Sequence, residues 1–404
     1  MNDTSRTYRE AQGSLINGCS FCADLHRAQA VQERIGLDKF RDLAAFAGSP
    51  HFSARERAAL AYTEEATRHR SVSGAARDLA RCLTGSVLVW GVAAAPASDA
   101  IRHEFVRANG LRFHVAAAGE GERLALCLHG FPECWYSWRH QMPLLARLGY
   151  RVWAPDLRGY GDTDRPDRMA DYAIETLMDD VAGLIDASGA KSTMLLAHDW
   201  GGIVATFFAT RRLRPLERLV LLNIPHLGAA RKQAGFRQRL RSWYVLFFQI
   251  PGLPERMFGR DGRRLARMLR RSAVRPEAFS EADLEVYRRN AAQPGAAKAM
   301  IDYYRALVRG GGARRQLALG LPPIEVPTLM LWGTGDVALG VELTRGTREF
   351  IPDLTLRYLE GVGHWVQQEA PEEVNRLIEG WLAGTVSGDA SDPAGAPPAG
   401  SVGS

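Results

Sequence analysis

The sequence predicts an α/β architecture: a mostly parallel sheet with helices on both faces, carrying a helical cap and preceded by a small helical segment. Three observations predict it. From Ile101 to Gly384, short apolar runs alternate with stretches of helical period, the rhythm of strands joined by crossover helices. The runs are apolar throughout rather than alternating with polar residues, as suits strands buried on both faces. The rhythm breaks once, between Leu227 and Arg315, where a basic block of helical spacing intervenes.

Taken in order, residues 1–82 are helical in pattern, with a capping box at Ser53-Ala54-Arg55-Glu56 that should open a helix through Tyr62. Residues 83–100 form an apolar linker. Its run Leu83–Ala95 is too short to span a bilayer and has the shape of a secretory signal deep inside the chain, so a buried or interfacial segment is favoured over a signal displaced by a start site placed too far upstream. Next, FVRANGLRFHVAA reads as a hairpin turning at Asn109-Gly110, a pair that tolerates positive φ. LALCL (124–128), RVWAP (151–155), STMLLA (192–197), RLVLL (218–222), TLMLW (328–332) and residues 354–359 read as strands. Leu177, Val181, Leu184 and Ile185 place one apolar stripe on the helix after the second of these. The expected core is therefore residues 101–226 and 316–384, with the cap at 227–315. Residues 385–404 are almost all Gly, Ala, Ser, Pro and Asp, a composition expected to leave a disordered tail.

Of the 404 residues, 46% are hydrophobic and 24% charged, and no apolar run reaches the ~18 residues of a membrane span. These values exclude whole-chain disorder and a multispan membrane protein. Five cysteines cannot form a disulfide scaffold in so long a chain, and MNDTSRTYRE is not a signal peptide, so a cytoplasmic location is expected. The net charge is +6, and all but four of the 51 basic residues are arginine. Between Leu227 and Arg315 there are 20 basic and 7 acidic residues. Such a patch suits a membrane surface or an anionic ligand. The favoured reading is a solvated helical surface, because the arginines are interleaved with Leu, Met and Ala and no nucleic-acid motif accompanies them.

In an open α/β sheet, reactive groups belong at the C-terminal ends of strands. After STMLLA comes His198-Asp199-Trp200-Gly201-Gly202, a nucleophile elbow with aspartate where an esterase has serine. The helix N-terminus that follows favours an ionised Asp199; a plain N-cap is the competing reading. Gly335-Asp336 follows TLMLW, and Gly363-His364 follows the last strand. The chain order of nucleophile, acid and histidine then favours a triad of Asp199, Asp336 and His364 over three unrelated loop residues. After LALCL, the turn His129-Gly130-Phe131-Pro132-Glu133 would aim the N–H of Phe131, with that of Trp200, into an oxyanion hole. His129, Gly130 and Pro132 support that turn.

With these stretches and Asp156-Leu157-Arg158-Gly159-Tyr160-Gly161, residues 101–384 resemble an α/β-hydrolase of the epoxide hydrolase family. The resemblance implies hydrolysis of an epoxide to a vicinal diol through an aspartyl ester, without a cofactor or metal. It also implies two cap tyrosines that serve the leaving oxygen. Trp243-Tyr244-Val245-Leu246-Phe247-Phe248-Gln249 and Ile301-Asp302-Tyr303-Tyr304-Arg305 match their segments, giving Tyr244 and Tyr304, with Tyr303 the neighbour left open. A haloalkane dehalogenase, whose halide the Trp200 indole would bind, gives no reason for the two tyrosines. A catalytically silent binding protein gives no reason for an intact triad. The partners implied are a small apolar epoxide and water, with no nucleic acid.

Ahead of this, Ile16-Asn17-Gly18-Cys19-Ser20-Phe21-Cys22-Ala23-Asp24-Leu25-His26 sets two cysteines and a histidine on one helical face, a setting that lowers a thiol pKa. The stretch resembles part of an alkylhydroperoxidase and carboxymuconolactone decarboxylase-like domain, which implies redox roles for Cys19, Cys22 and His26. Thr7 stands where that family has its relay glutamate. A structural or dimerising helical remnant is the reading favoured over independent redox activity, and it leaves room for a homodimer. Two cysteines and one histidine without a fourth ligand speak against zinc.

Overall fold

The computed structural model describes residues 101–259 and 261–388. The leading segment 1–82, the linker 83–100, Cys19, Cys22, His26 and the tail beyond 388 lie outside the described residues.

The strands form where the hairpin and the apolar runs fall: β1 (Arg102–Ala108), β2 (Leu111–Ala118), β3 (Arg123–Leu128), β4 (Arg151–Pro155), β5 (Ser192–His198), β6 (Arg218–Leu222), β7 (Thr328–Gly333) and β8 (Leu354–Leu359). They make one sheet of order β1-β2-β4-β3-β5-β6-β7-β8. β1 and β2 are the hairpin, and its turn takes positive φ at Asn109 (43°) and Gly110 (76°). β2 also runs antiparallel to β4; every later pairing is parallel. β5, β6 and β7 are buried on both faces along most of their length, which is why their sequences show no alternation.

Helices cover both faces. α1 (Met142–Arg147) and α13 (Pro371–Leu382) pack into one cluster, while α2 (Ile174–Ser188) and α3 (Asp199–Arg211) pack into the other. Between β6 and β7 the described residues form helices and loops without a strand: α4 (Leu227–Gln233), α5 (Phe236–Arg241), α6 (Trp243–Phe247), α7 (Leu253–Gly259), α8 (Arg263–Ser272), α9 (Glu281–Ala292), α10 (Ala296–Val308) and α11 (Gly312–Ala318). α12 (Val366–Glu369) follows β8. Past α13, the N–H of Thr385 donates to the Gly380 carbonyl and Arg357 donates to that of Ser387.

A buried ion pair ties the sheet to α2 and, through α10, to the cap. The Arg158 guanidinium, on the loop after β4, grips Asp180 of α2 at 2.7 and 2.5 Å. Asp180 also accepts from Asn109 of the hairpin turn, at 2.8 Å. The Arg158 carbonyl accepts from the Tyr303 hydroxyl of α10, at 2.8 Å. Removing one partner leaves the other charge buried and unpaired, a cost of ~3–5 kcal/mol. Asp180→Ala is therefore expected to lower unfolding stability by about that amount in urea. Asp186→Ala, which breaks an exposed pair with Arg214, should cost under ~1 kcal/mol. Equal losses would show that Arg158 and Asp180 are not the clamp described.

Candidate active site

β5 ends at His198, and the chain turns into α3 at Asp199 with φ of 47°. A non-glycine residue in the left-handed region is strained. The turn is accommodated because its neighbours lack side chains: a Cβ on Gly130 would lie 2.4 Å from that of Asp199, and one on Gly201 would lie 2.4 Å from the Leu128 carbonyl oxygen. The carboxylate is thereby raised above the strand ends. Its Oδ1 accepts from the Phe131 N–H at 2.7 Å, and its Oδ2 lies 3.6 Å from His364 Nε2.

His364 follows β8, and its Nδ1 meets Asp336 Oδ2 at 2.6 Å. Asp336 follows β7 and is buried. It accepts from the N–H groups of Ala338 (2.7 Å) and Leu339 (2.9 Å) and from the Asn223 amide (2.7 Å). The three groups named from the strand-end pattern therefore converge. Trp200 lies in the first turn of α3, where N–H groups have no intrahelical acceptor.

Burial opposes the charged form of all three groups, and in each case the partners outweigh it. Contact with His364, the charges of His364 and His198 and the Phe131 N–H hold Asp199 below the ordinary carboxylate range. His364 together with the donors around it does the same for Asp336. His364, between two carboxylates, is held well above its ordinary value, chiefly by Asp336.

The supporting turn is built on His129 and Glu133. His129 is buried; its Nε2 accepts from the Leu157 N–H at 3.0 Å, which leaves Nδ1 to donate to the Gly130 carbonyl at 2.9 Å. The Phe131–Pro132 peptide is cis.

The cap closes over this floor to leave an apolar cavity of about 360 Å³. Asp199 and His364 lie in its wall with Phe131, Tyr244 and Tyr304. The two tyrosine rings are 6.0 Å apart between centroids. Burial, then the charge of Asp199, pushes both phenols above their ordinary pKa, so each remains a donor at neutral pH. Tyr303 is spent on the Arg158 carbonyl, away from the cavity. The Trp200 indole is buried and meets Tyr304 edge-on at 4.9 Å between ring centroids.

Sequence reasoning missed Asn223, Glu133 and His198 as parts of the site. Asn223 directly follows β6, so the same strand-end rule would have found it. His198 also follows an apolar run, STMLLA, whereas Glu133 gave no such signal, because most of its partners lie 65 or more residues away. Glu133 is fully buried, and His198 spans from Glu133 (2.8 Å) to the His364 carbonyl (2.9 Å).

Residues 126–371 match the family model of the alpha/beta hydrolase fold, and residues 12–65 match that of the carboxymuconolactone decarboxylase family. The chain is 38% identical to the AB hydrolase superfamily protein YfhM of Bacillus subtilis, over 70% of this chain and 99% of that protein. It is 37% identical to epoxide hydrolase 4 of Homo sapiens, over 68% of this chain and 76% of that one. Among solved structures, epoxide hydrolase I of potato (Solanum tuberosum) aligns with a TM-score of 0.63 at 30% identity, over 70% of this chain and all of that one (100%). Epoxide hydrolase A of Mycobacterium thermoresistibile aligns with a TM-score of 0.62 at 28% identity, over 70% and 99%.

Glu133 offers a test of how the floor is held. Its two oxygens accept from the Gly130 N–H, His198, Gln367 and Gln368, all within 3.0 Å. Glu133→Gln keeps the shape but turns an amide NH₂ toward two donors, which should cost ~1–3 kcal/mol. Turnover should fall as well, since the Gly130-Phe131 turn loses its anchor. Wild-type melting temperature and rate would show that the network does not position the Phe131 N–H.

Proposed function

The chain belongs to the epoxide hydrolase family of the α/β-hydrolase fold, and we propose that it opens epoxides to vicinal diols through a covalent ester on Asp199. One observation carries the reading: an ionised carboxylate, an Asp-backed histidine and two protonated phenols face the same apolar cavity. A halide needs no proton donor as it leaves, whereas the oxygen of an epoxide does.

In the first step, Asp199 Oδ2 attacks one epoxide carbon and the C–O bond of the ring breaks. Tyr244 and Tyr304 donate hydrogen bonds to the departing oxygen, and one of them gives it a proton. In the second step, His364 takes a proton from water, and the hydroxide adds to the carbonyl carbon of the ester. The Phe131 N–H, which holds Asp199 in the resting state, then faces the oxyanion, together with that of Trp200. Collapse expels the second hydroxyl, protonated by His364. The remaining proton of that water restores the phenol.

The resting charges suit this order. Asp336 and Asp199 together raise the His364 pKa, because each adds a negative charge beside the ring. Esterification neutralises Asp199, removes one of the two carboxylates and lowers the histidine pKa when a base is required. In Asp199→Asn, which mimics that neutral state, the His364 ring should titrate lower than in wild type by proton NMR. A higher or unchanged midpoint would rule out this coupling.

The chemistry itself is tested with His364→Gln and Tyr304→Phe. His364→Gln should accumulate protein heavier by the mass of a styrene-type epoxide, with the adduct on Asp199. Tyr304→Phe should slow diol formation about 10²-fold or more, as expected for loss of a positioned proton donor. No adduct in the first variant would sink the covalent scheme. Bromide release from a bromoalkane without diol formation from the epoxide would move the assignment to dehalogenase.

A further inference from the structure

The basic block is expected to present a solvated helical surface, with its arginines interleaved with Leu, Met and Ala. Part of the cap does otherwise. Of the eleven large hydrophobic side chains exposed among the described residues, six lie in one stretch of the cap: Phe236, Leu240, Trp243, Leu246, Ile250 and Leu253. The two most exposed, Phe236 and Leu246, are 74% and 73% accessible. The helix period explains the outward turn. Gln238 is the buried residue of α5, with its amide on the Ala338 carbonyl (2.8 Å) and its carbonyl on the Gly340 N–H (2.9 Å). Phe236 and Leu240 lie two residues either side of it, about 200° around the helix, and so face away from the core.

The charges on this face have one sign. From Leu227 to Pro254 there are five basic residues and no acidic one. Lys232 and Arg241 pair with Glu349 and Glu342 at the edge of the face. Arg231, Arg237 and Arg239 are exposed and form no ion pair among the described residues. The cavity joins this face to a second basic one. Arg241 and Trp243 line it on one side. On the other side, Met268, Ser272 and Val337 line both the cavity and an adjoining groove that bears Arg264, Arg267 and Arg271. These three arginines lie at i, i+3 and i+7 of α8, on one side of the helix.

We propose that this face, centred on Phe236, Leu240, Trp243 and Leu246 and flanked by Arg237 and Arg239, docks on an anionic lipid bilayer. Bulky apolar and aromatic side chains interleaved with arginine are the composition of an interfacial surface, the apolar groups entering the acyl boundary and the cations meeting the headgroups. The charge selects the bilayer over other occupants. A second copy pairing through the same face would bring arginines against arginines. Residues 1–100 of this chain carry twelve basic and eleven acidic residues and so offer no complementary charge. Docking would also let an apolar epoxide enter the cavity from lipid. That purpose rests on the function proposed above, whereas membrane binding is measured without substrate and stands or falls by itself.

The test is sedimentation of the full chain with phosphatidylcholine vesicles, with and without ~30% phosphatidylglycerol, at low and high salt. Binding is expected to require the anionic lipid and to weaken with salt. Leu240→Ser/Leu246→Ser removes apolar contact, and Arg237→Glu/Arg239→Glu reverses charge; neither pair lines the cavity. Each should lower vesicle partition by roughly tenfold or more, since one Lys or Arg near such a surface contributes about fivefold. Turnover of a water-soluble epoxide should stay within about twofold, because surface substitutions away from the site rarely perturb stability by more than ~0.5 kcal/mol. The proposal is overturned if the wild type ignores anionic vesicles or if both variants bind as well as wild type. A wild-type dimer that Leu240→Ser/Leu246→Ser dissociates in the ultracentrifuge would also overturn it, by making the face a contact between copies.

Discussion

The arrangement depends on one imidazole held between two buried carboxylates. His364 touches Asp336 at 2.6 Å and faces Asp199 at 3.6 Å. In a dry setting these charges are stable only together, since an uncompensated buried charge costs several kcal/mol. The sheet makes that grouping possible. Asp199, Asp336 and His364 come from the ends of β5, β7 and β8, which run parallel, so their C-terminal ends open on one side. The same electrostatics that hold the site together in the resting state make the histidine responsive to the charge on Asp199.

Beneath the site lies a second layer whose role is geometric. Glu133 gathers Gly130, His198, Gln367 and Gln368, and His198 reaches from it to the carbonyl of His364. One fully buried carboxylate thus joins the turn after β3, the end of β5 and the helix after β8. The N–H of Phe131 and the ring of His364 are in this way referred to a common anchor, and two hydrogen bonds of His129 fix the turn from the other side.

The cap shows how one insertion serves two environments. Its inner surface supplies Tyr244, Phe248 and Tyr304 to an apolar chamber where phenols stay protonated. Its outer surface presents arginine and large apolar groups side by side. α5 and α6 are too short to bury a full stripe, so side chains on successive turns are divided between cavity, core and exterior.

The sequence alone determined the sheet, the hairpin turn and the elbow, because each depends on neighbours in the chain: unbroken apolar runs, Asn109-Gly110, and small residues around Asp199. It also determined which strand ends carry reactive groups, since parallel strands must end on one side. Tertiary structure decided what depends on residues remote in sequence. It separated Tyr304 from Tyr303 by giving the latter the Arg158 carbonyl as partner, and it made Glu133 a hub through contacts over 230 residues away. It also turned Phe236, Leu240, Trp243 and Leu246 outward, on a block expected only to present a solvated helical surface. Periodicity shows that a helix has two faces, but only the packed neighbours decide which face is covered.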